Sequence, residues 1–365
     1  MTRQTPSLPD QNCFAPSWLD INLKQLHKNL ATLKGKTSGN VQFVAVVKAN
    51  AYGHGAIPIS RSLEAHVDKL AVAHINEAVE LRDAGIEAPI IVLAPPEPSF
   101  TQLYRRYELE AVISELKQFN DLAPGTYYHL QFDTGMKRLG IDPRDIEEAV
   151  DKVNHFRELH LTGLMSHFAT ADEPGSEKVD NQNALFKEIS AHFRDWDVSF
   201  HIANSGALAF YPETHQSMVR LGISLYGYQP DTTPISGIAP ILTWNSYIVQ
   251  ARPIKKDETV SYGATWTAPK DGYILTIPAG YADGIPRILS NSIEVWVGGH
   301  SLPQVGTITM DYIMVFSQSP FETGTRVTLL SPEGPTASDW AKASRTISYE
   351  IVAKIGSRVE RRYHS

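Results

Sequence analysis

The sequence predicts an α/β protein with two domains, a (β/α)8 barrel of the TIM-barrel type followed by a smaller all-β domain. Eight short apolar runs alternate with helical patterns over roughly the first two-thirds of the 365 residues. A stretch rich in Pro, Thr, Ser and Gly, Pro230–Pro240, then interrupts this pattern, and strand patterns dominate beyond it. We therefore place the barrel domain at residues 1–238 and the β-domain at residues 239–365. Residues 1–16 are expected to form either a loose N-terminal arm or an arm associated with the β-domain.

Each predicted barrel strand is a short run of apolar residues, and the intervening segments carry helical periodicity or capping signals. The strands are Val41–Val47, Lys69–Ala73, Pro89–Leu93, Glu110–Ile113, Tyr127–Phe132, Leu159–Ser166, Val198–Ala203 and Met218–Leu221. The helices include Asn76–Ala84 with Asn76 as its cap, Phe100–Tyr107, Glu115–Leu122, one that opens at Asp142-Pro143, and Asn181–Phe193. A doubly wound sheet is the structural alternative. Regular spacing and a count of eight strands favour the barrel.

The second domain is predicted to be a small β-barrel or sandwich. Its expected strands are Trp244–Pro253, Gly272–Pro278, Ile293–Val297, Gln304–Gln318 and Arg326–Leu330. One helical patch, Ser338–Ala343, interrupts them, with Ser338 as its expected cap.

The composition excludes several classes of function. A content of 42% hydrophobic and 20% charged residues is typical of a globular protein, and a net charge of -7 disfavours sequence-independent binding of nucleic acid. No apolar stretch approaches the ~20 residues that span a bilayer, and Met1–Pro16 lacks the apolar core of a signal peptide. The single cysteine, Cys13, excludes an intramolecular disulfide and a thiolate metal cluster. We predict a cytoplasmic protein with no metal site, no nucleic-acid partner and no membrane association.

The stretch V-A-V-V-K-A-N-A-Y-G-H-G, residues 44–55, delivers Lys48 at the end of a buried strand. Desolvation favours the neutral, nucleophilic form of a lysine amine, so this position suits Schiff-base chemistry. The alternative is a lysine whose stem merely extends out of the barrel end.

Further polar residues follow other predicted strands, at the face that carries the active site in barrel enzymes. These are Asp133 and Arg138 after the fifth strand, His167 after the sixth, Asn204 and Ser205 after the seventh, and Arg220 at the eighth. Taken singly, Arg138 could pair with Asp133, and His167 could be a satisfied, half-buried histidine. Together they predict one site.

A phosphate site is suggested by Ser205-Gly206 and Gly222-Ile223, because loops after the last two barrel strands often offer backbone N–H groups to phosphate. A lysine, a phosphate site and a barrel together suggest pyridoxal 5'-phosphate (PLP) as cofactor. In the β-domain, V-S-Y-G-A-T-W presents Tyr262 in a turn, and Thr309–Asp311 lies on a predicted strand. Alternatively, Tyr262 is an ordinary hairpin tyrosine and Asp311 an ordinary edge-strand aspartate.

A chain-long series of motifs resembles the alanine racemase family. The motifs are V-V-K-A-N-A-Y-G-H-G, D-T-G-M-x-R-L-G, S-H-F-A-T-A-D, A-N-S-G-A, V-R-L-G-I-S-L-Y-G, V-S-Y-G-A-T-W, G-Y-A-D-G-I-P-R, M-D and I-S-Y-E. The resemblance implies a PLP-dependent isomerase that interconverts L-alanine and D-alanine and supplies D-alanine for peptidoglycan. It also implies a head-to-tail homodimer with shared active sites.

By this resemblance Lys48 holds PLP and is one of two catalytic bases, and Tyr262 is the other, acting in the active site of the partner subunit. Two bases are required because racemisation removes the α-proton from one face and returns it to the other. Arg220 would face the pyridine nitrogen, with His167 hydrogen-bonded behind it. An arginine there leaves that nitrogen unprotonated and limits side reactions such as transamination.

The resemblance also implies a cofactor shell and a substrate shell. The remaining cofactor-binding residues would be Tyr52, Arg138, Asn204, Ser205, Gly222, Ile223 and Tyr349. Arg138 and the backbone N–H of Met310 would hold the substrate carboxylate, and Asp311 and Tyr281 would stand at the mouth of the substrate channel.

One position departs from the family. Many members carry a carbamylated lysine two residues before the D-T-G-M aspartate, and this chain has Gln131 there. We expect Arg138 to be held by Gln131 directly, by an anion such as chloride, or by another side chain.

The nearest alternative function is a racemase of the same fold for serine, lysine or a broad set of amino acids. A decarboxylase would resemble this chain but carry an acidic residue at Arg220, and a non-catalytic PLP-binding protein would resemble only the barrel.

Overall fold

The computed structural model describes residues 15–37, 39–229 and 235–365. These residues form two compact units: a barrel unit, Leu23–Pro240, and a β-unit that combines the described residues up to Asn22 with Ile241–Ser365. The expectations for Cys13, for most of the N-terminal arm and for part of the Pro230–Pro240 linker lie outside the described residues.

The described chain begins with strand β1 (Ser17–Asn22) and helix α1 (Leu23–Lys34). The barrel strands are β2 (Gln42–Val46), β3 (Lys69–Val72), β4 (Ile90–Val92), β5 (Leu109–Ile113), β6 (Tyr127–Gln131), β7 (His160–Met165), β8 (Ser199–His201) and β9 (Met218–Leu221). Between them lie a left-handed turn, labelled α2 (Lys48–Tyr52), and the helices α3 (Ala56–Leu63), α4 (Ile75–Asp83), α5 (Thr101–Arg106), α6 (Ile146–His155), α7 (Glu177–Ala191) and α8 (Ser205–Phe210).

The eight barrel strands form one parallel sheet in the order β8-β7-β6-β5-β4-β3-β2-β9. Backbone hydrogen bonds from Ser217 N to Phe200 O (3.2 Å) and from Arg220 N to Ala203 O (3.1 Å) join the two ends of this sheet. The predicted barrel is therefore confirmed, and the doubly wound sheet is not found. Strands covered on both faces have few polar residues, and β4 and β5 are buried at every position.

The β-unit confirms the prediction of a strand-rich second half. Its strands are β10 (Leu242–Tyr247), β11 (Gln250–Ile254), β12 (Thr259–Val260), β13 (Trp266–Thr267), β14 (Gly272–Ile277), β15 (Glu294–Val297), β16 (His300–Pro303), β17 (Ile313–Ser317), β18 (Arg326–Leu330) and β19 (Glu360–His364). Its helices are α9 (Ala337–Ser344) and α10 (Ser348–Ala353). The sheets run β16-β15-β18-β10-β1-β19, β11-β14-β17 and β12-β13.

Strand β1 belongs to the largest sheet of the β-unit, although the sequence assigned its residues to the barrel domain. It pairs antiparallel with β10 and parallel with β19, so Leu19 lies opposite Trp244 and Arg361. The alternation of β1 explains its place, because Leu19 and Ile21 are fully buried between more exposed neighbours. Strand β19 was not predicted, since it is a charged edge strand with Arg361 and Arg362 at its centre.

Two predicted helix caps and one predicted helix differ from the structure. Helix α4 is capped at His74 rather than Asn76, because the side chain of Glu77 reaches back to the His74 backbone. Helix α9 is capped by Thr336 rather than Ser338, and the Thr336 hydroxyl accepts a hydrogen bond from Asp339 N (3.1 Å). The segment predicted as a helix at Glu115–Leu122 is a short 3-10 segment, Leu116–Asn120.

Two long predicted strands are each divided, and helix α10 was missed. Trp244–Pro253 becomes part of β10 and β11, and Gln304–Gln318 contains a loop at residues 305–312 before β17. Residues 309–311 therefore lie in that loop and not on a strand. Within the described residues, no helix is both long and apolar enough to cross a membrane.

Candidate active site

The residues after Lys48 form a left-handed turn at the carboxyl end of β2. Ala49, Asn50, Ala51 and Tyr52 have φ angles of 52–53°, although none of them is glycine. Each such residue costs about 1–2 kcal/mol relative to a right-handed conformation. Strain of this kind persists where surrounding contacts impose it, and it is often found at functional sites.

The carboxylate of Glu77, on α4, holds this turn. Its oxygens accept hydrogen bonds from three backbone N–H groups, those of Ala49 (2.6 Å), Ala73 (2.7 Å) and His74 (3.0 Å). The side chain of Asn50 adds a second tie by accepting a hydrogen bond from Ala56 N (2.8 Å). Glu77 was not singled out from the sequence, where its only signal is its place near the start of the predicted helix N-E-A-V-E-L-R.

The surroundings of Lys48 favour its neutral form. Burial lowers the pKa of the Lys48 amine, the guanidinium groups of Arg138 and Arg220 lower it further, and the Glu77 carboxylate opposes them. This is the electrostatic setting that a nucleophilic lysine requires.

Arg220, on β9, is buried and fixed by five hydrogen bonds. Its Nη1 donates to His201 Nδ1 (2.8 Å) and His201 O (3.0 Å). Its two Nη2 hydrogens are shared among three acceptors, Ser166 O (2.8 Å), Ile202 O (3.1 Å) and His167 Nδ1 (3.1 Å). The predicted contact between Arg220 and His167 is therefore present. His201 was missed, and it lies inside the predicted strand Val198–Ala203.

Four of the predicted residues lie at or after the carboxyl ends of the barrel strands: Lys48, Arg138, His167 and Arg220. Burial lowers the pKa of the His167 imidazole well below its usual value, and the charges of Arg220 and Arg138 lower it further. Burial and the charge of Arg138 also lower the pKa of Arg220, to about 10, so its guanidinium remains a cation at neutral pH. The two arginines make this end of the barrel positively charged, which suits an anionic ligand.

A cradle of polar groups lies at the same end of the barrel. The Gly222 N–H donates to Ser205 Oγ (2.9 Å). A Cβ atom on Gly222 would lie 2.9 Å from the hydroxyl of Tyr52 and 3.7 Å from Ser205 Oγ, so the Tyr52 and Ser205 hydroxyls both approach this glycine. Ile223 follows Gly222 and begins a short 3-10 segment. Hydroxyl and backbone N–H donors are the groups that bind a phosphate in proteins, so the cradle fits the phosphate of PLP.

Asn204 contributes to this region by capping a helix with its side chain. Its Oδ1 accepts a hydrogen bond from Ala207 N (3.0 Å) and so caps helix α8, which begins at Ser205. The cap fixes the start of the helix on which Ser205 lies.

The loop that carries Arg138 is organised by Asp133 and Gln131. Asp133 Oδ1 accepts hydrogen bonds from Gly135 N (2.9 Å) and Lys137 N (3.0 Å). Its ion pair within the described residues is with Lys137 and not with Arg138. Gln131 donates from Nε2 to Leu139 O (3.1 Å), so it contacts the backbone next to Arg138 and not the guanidinium.

The β-unit has a second candidate site, an open cleft of about 790 Å³. Four predicted residues line it together: Tyr262, Tyr281, Met310 and Asp311. The cleft adds Arg287 and Tyr312, which the sequence analysis did not name. Tyr349 lies on α10, is half-buried, and is not among the described residues that line this cleft.

Hydrogen bonds between loops position the cleft residues. Thr307 Oγ1 donates to Tyr262 O (2.8 Å), and Ser261 Oγ donates to Thr307 O (2.7 Å). The Tyr281 N–H donates to Thr309 O (3.0 Å). A Cβ atom on Gly280 would lie 2.3 Å from Met310 O, so only glycine permits this approach of the two loops.

Asp311 is held by Arg358, a residue of the C-terminal segment that the sequence analysis did not name. Arg358 Nη2 lies 2.9 Å from Asp311 Oδ1, and Arg358 Nε lies 3.2 Å from Asp283 Oδ1. Burial raises the pKa of Asp283, and the charge of Asp311 raises it further. The hydrogen bond from Gly280 N–H and the charge of Arg358 lower this pKa but do not outweigh the increase. The motif G-Y-A-D-G-I-P-R is thus linked to the cleft through Asp283.

Models of known protein families match both units. The alanine racemase N-terminal domain matches residues 21–230, and the alanine racemase C-terminal domain matches residues 241–363. The chain is 38% identical over 366 residues to an alanine racemase of Halothermothrix orenii, covering 95% of this chain and 97% of that protein. It is 36% identical to an alanine racemase of Geobacillus stearothermophilus, covering 94% of this chain and 92% of that protein.

Solved structures agree with these matches. The alanine racemase from Bacillus anthracis with bound L-Ala-P superposes with a TM-score of 0.89 at 32% identity, covering 96% of each chain. The biosynthetic alanine racemase from Pseudomonas aeruginosa superposes with a TM-score of 0.88 at 32% identity, covering 96% of this chain and 100% of that one.

Proposed function

The chain belongs to the alanine racemase family, and we propose that it interconverts L-alanine and D-alanine with PLP as its cofactor and Lys48 and Tyr262 as its two bases. The role of this family is to supply D-alanine for peptidoglycan. The observation that carries the proposal is the placement of Lys48, Arg138, His167 and Arg220 at or after the carboxyl ends of barrel strands, where Arg220 Nη2 donates to His167 Nδ1 (3.1 Å).

PLP fits the groups that the barrel presents. Lys48 would hold it covalently, and Tyr52, Ser205, Gly222 and Ile223 would bind its phosphate, with Asn204 fixing the loop and Tyr349 assigned by resemblance alone. When bound, PLP withdraws electron density from the substrate Cα and so acidifies its hydrogen.

Arg220 would face the ring nitrogen of the cofactor and leave it unprotonated. An arginine donates hydrogen bonds and does not release its proton near neutral pH. The five hydrogen bonds of its Nη atoms keep the guanidinium in one orientation. This arrangement limits electron withdrawal by the ring and favours simple return of the proton over transamination.

The remaining groups bind substrate and move the proton. Arg138 and the Met310 backbone N–H would hold the carboxylate of alanine, and Asp311 and Tyr281 would line the approach to the site. Lys48 would exchange the α-proton on one face and Tyr262 on the other.

We further propose a head-to-tail homodimer in which Tyr262 serves the barrel site of the partner subunit. The β-unit cleft supports this assembly, because Tyr262 exposes 74% of its surface and Met310, Tyr281 and Tyr312 expose 51%, 43% and 45%. Exposed aromatic and apolar residues clustered in this way are typical of interaction sites. The cytoplasmic location stays a prediction from the sequence.

The decisive experiment is a racemisation assay over a panel of amino acids, with loss of optical rotation measured together with CO2 release. L-Alanine should lose rotation without CO2, and faster than serine or lysine. Lys48→Ala should lose the absorbance of bound cofactor, and its rate should fall by about a thousandfold or more. Wild-type activity in Lys48→Ala would refute the proposed role of Lys48, and a preference for serine or lysine would support the alternative racemase.

Complementation tests the shared sites. Inactive Lys48→Ala and Tyr262→Phe chains, unfolded and refolded together, should form heterodimers with one intact site and regain about a quarter of wild-type activity if the partner completes each site. Mixtures that stay inactive while heterodimers form would contradict the shared site.

A further inference from the structure

A continuous chain of polar side chains runs through the barrel interior below Arg220. It comprises Lys69, Glu110, His129, His201 and Arg220, and we call it the barrel-core chain. Its bonds link Lys69 Nζ to Glu110 (2.5 and 2.7 Å), Glu110 Oε2 to His129 Nε2 (2.6 Å), His129 Nδ1 to His201 Nε2 (2.9 Å), and His201 Nδ1 to Arg220 Nη1 (2.8 Å).

The barrel-core chain extends from one end of the barrel toward the other. Lys69 is the first residue of β3, Glu110 the second of β5, and His201 the last of β8. Branched apolar side chains usually fill this space, yet His129 and His201 are fully buried and Glu110 is 7% exposed. The space is shaped for the imidazole, because a Cβ atom on Gly163 would lie 2.2 Å from His129 Nδ1.

The two ends of the chain fix the direction of every hydrogen bond in it. Arginine is only a donor, and an ionised carboxylate is only an acceptor. Arg220 Nη1 must donate to His201 Nδ1, so His201 carries its proton on Nε2 and donates it to His129 Nδ1. His129 then carries its own proton on Nε2 and donates it to Glu110 Oε2. Both imidazoles are therefore neutral, with the same tautomer.

Burial agrees with this assignment. It is the largest cause that lowers the pKa of both His129 and His201, and the charge of Arg220 lowers each further. Glu110 is ionised near neutral pH, because the hydrogen bond from His129 and the charge of Lys69 outweigh its burial and lower its pKa to about 2.

We propose that Glu110 is a positioning residue for Arg220, acting through the fixed tautomers of His129 and His201. The inference rests on the proposed function in one respect, the placement of Arg220 at the ring nitrogen of PLP. A carboxylate at the far end of the barrel keeps an acceptor facing Arg220 Nη1. Reversal of any bond along the chain would present an N–H to that guanidinium and displace it from the cofactor.

Two substitutions that break the same ion pair separate positioning from simple stabilisation. In Glu110→Gln, Lys69 takes the single amide oxygen, and the amide NH2 faces His129. His129 Nε2 must then accept a hydrogen bond, so its proton moves to Nδ1. Each following hydrogen bond reverses, and His201 presents an N–H to Arg220. Lys69→Met removes the ion pair but leaves Glu110 as an acceptor. The double variant Lys69→Met/Glu110→Gln frees the amide oxygen for His129 and restores the original direction.

The first measurement is NMR of the full-length protein with ¹⁵N-labelled histidine, which distinguishes the two tautomers of neutral imidazole. His129 and His201 should both carry their proton on Nε2 in the wild type, in Lys69→Met and in the double variant, and should change in Glu110→Gln. Wild-type spectra with charged rings or with Nδ1–H tautomers would overturn the proposal. This test uses the wild-type protein, so its outcome does not depend on whether a variant folds.

The second measurement is racemase kinetics, with cofactor content determined in parallel. Glu110→Gln should lower kcat roughly ten- to a hundredfold with little change in KM for alanine or in bound PLP. Lys69→Met and the double variant should stay within about threefold of wild type. Equal loss in Lys69→Met and Glu110→Gln would mean that the ion pair is only structural and would refute the positioning role. A wild-type protein that shows the predicted tautomers but does not racemise alanine would refute the proposed function instead.

Discussion

The carboxylate of Glu77 binds the backbone N–H of Ala49, the residue directly after Lys48, at 2.6 Å. The same carboxylate binds the N–H groups of Ala73 and His74, so one side chain joins the left-handed turn to the start of α4. Glu77→Gln leaves one acceptor oxygen for these donors. We expect the free energy of unfolding to fall by about 1–3 kcal/mol and covalent capture of PLP by the apoprotein to slow.

The control for this prediction is Glu80→Gln, which changes an exposed carboxylate on the same helix. Urea unfolding and the rise of cofactor absorbance after PLP addition measure the two effects. If Glu77→Gln and Glu80→Gln change the unfolding free energy and the rate of PLP capture equally, Glu77 does not hold the turn.

Tyr262→Phe should separate the two faces of the substrate. The phenol is the group proposed to exchange the α-proton on one face, so its removal should slow deuterium exchange from one enantiomer of alanine by about 10²–10⁴-fold. Cofactor content should stay unchanged, because Tyr262 lies in the β-unit cleft and not in the phosphate cradle. Tyr312→Phe in the same cleft serves as control, and equal exchange rates for both enantiomers in Tyr262→Phe would remove Tyr262 from its role.

Gln131→Lys tests what holds Arg138. The amide now donates to Leu139 O beside Arg138, and a lysine would place a cation near the guanidinium unless it were carbamylated. We expect KM for alanine to rise severalfold in bicarbonate-free buffer and to fall again when bicarbonate is added. Chloride titration of the wild type is the companion experiment. KM and turnover that stay unchanged in Gln131→Lys would show that this position matters little here.

Glu110 predicts a specific dependence of stability on acid. Its folded-state pKa is lowered to about 2 from an ordinary value of 4.5, chiefly because the His129 hydrogen bond and Lys69 overcome burial. A lowered pKa contributes stability that is complete above the ordinary pKa and is lost as the pH falls through the folded pKa. The difference in unfolding free energy between wild type and Glu110→Gln should therefore shrink from about pH 4.5 to about pH 2. A difference that stays constant over this range would contradict the ionised, paired state of Glu110.

The barrel was predictable from the sequence because its strands are covered on both faces. The predicted runs Pro89–Leu93 and Glu110–Ile113 contain the buried strands β4 and β5, and eight such runs in regular spacing indicated the architecture. The positions of Lys48, His167 and Arg220 followed, since residues at the ends of parallel strands meet at one face.

The missed residues act through contacts that no local pattern encodes. Glu77 reaches backbone groups of two other segments, and Arg358 reaches Asp311 across 47 positions of the chain. Glu110 and His129 lie inside predicted strands, where a polar residue gives no sign of whether it points inward. The loop at residues 305–312 was taken for a strand because it is rich in apolar residues, of which Val305 and Ile308 are buried and Met310 and Tyr312 line the cleft.

The pairing of β1 with β10 and β19 sets an order on synthesis of the chain. The first partner residue of β1 in chain order, Leu242 opposite Ile21, is made only after the whole barrel unit, and the Glu360 that pairs with Trp18 is made later still. Domains commonly fold as they emerge, so the barrel can close while β1 still has two bare edges. These edges stay unpaired until β10 and β19 have been made, so chains stalled before β19 are expected to aggregate through β1.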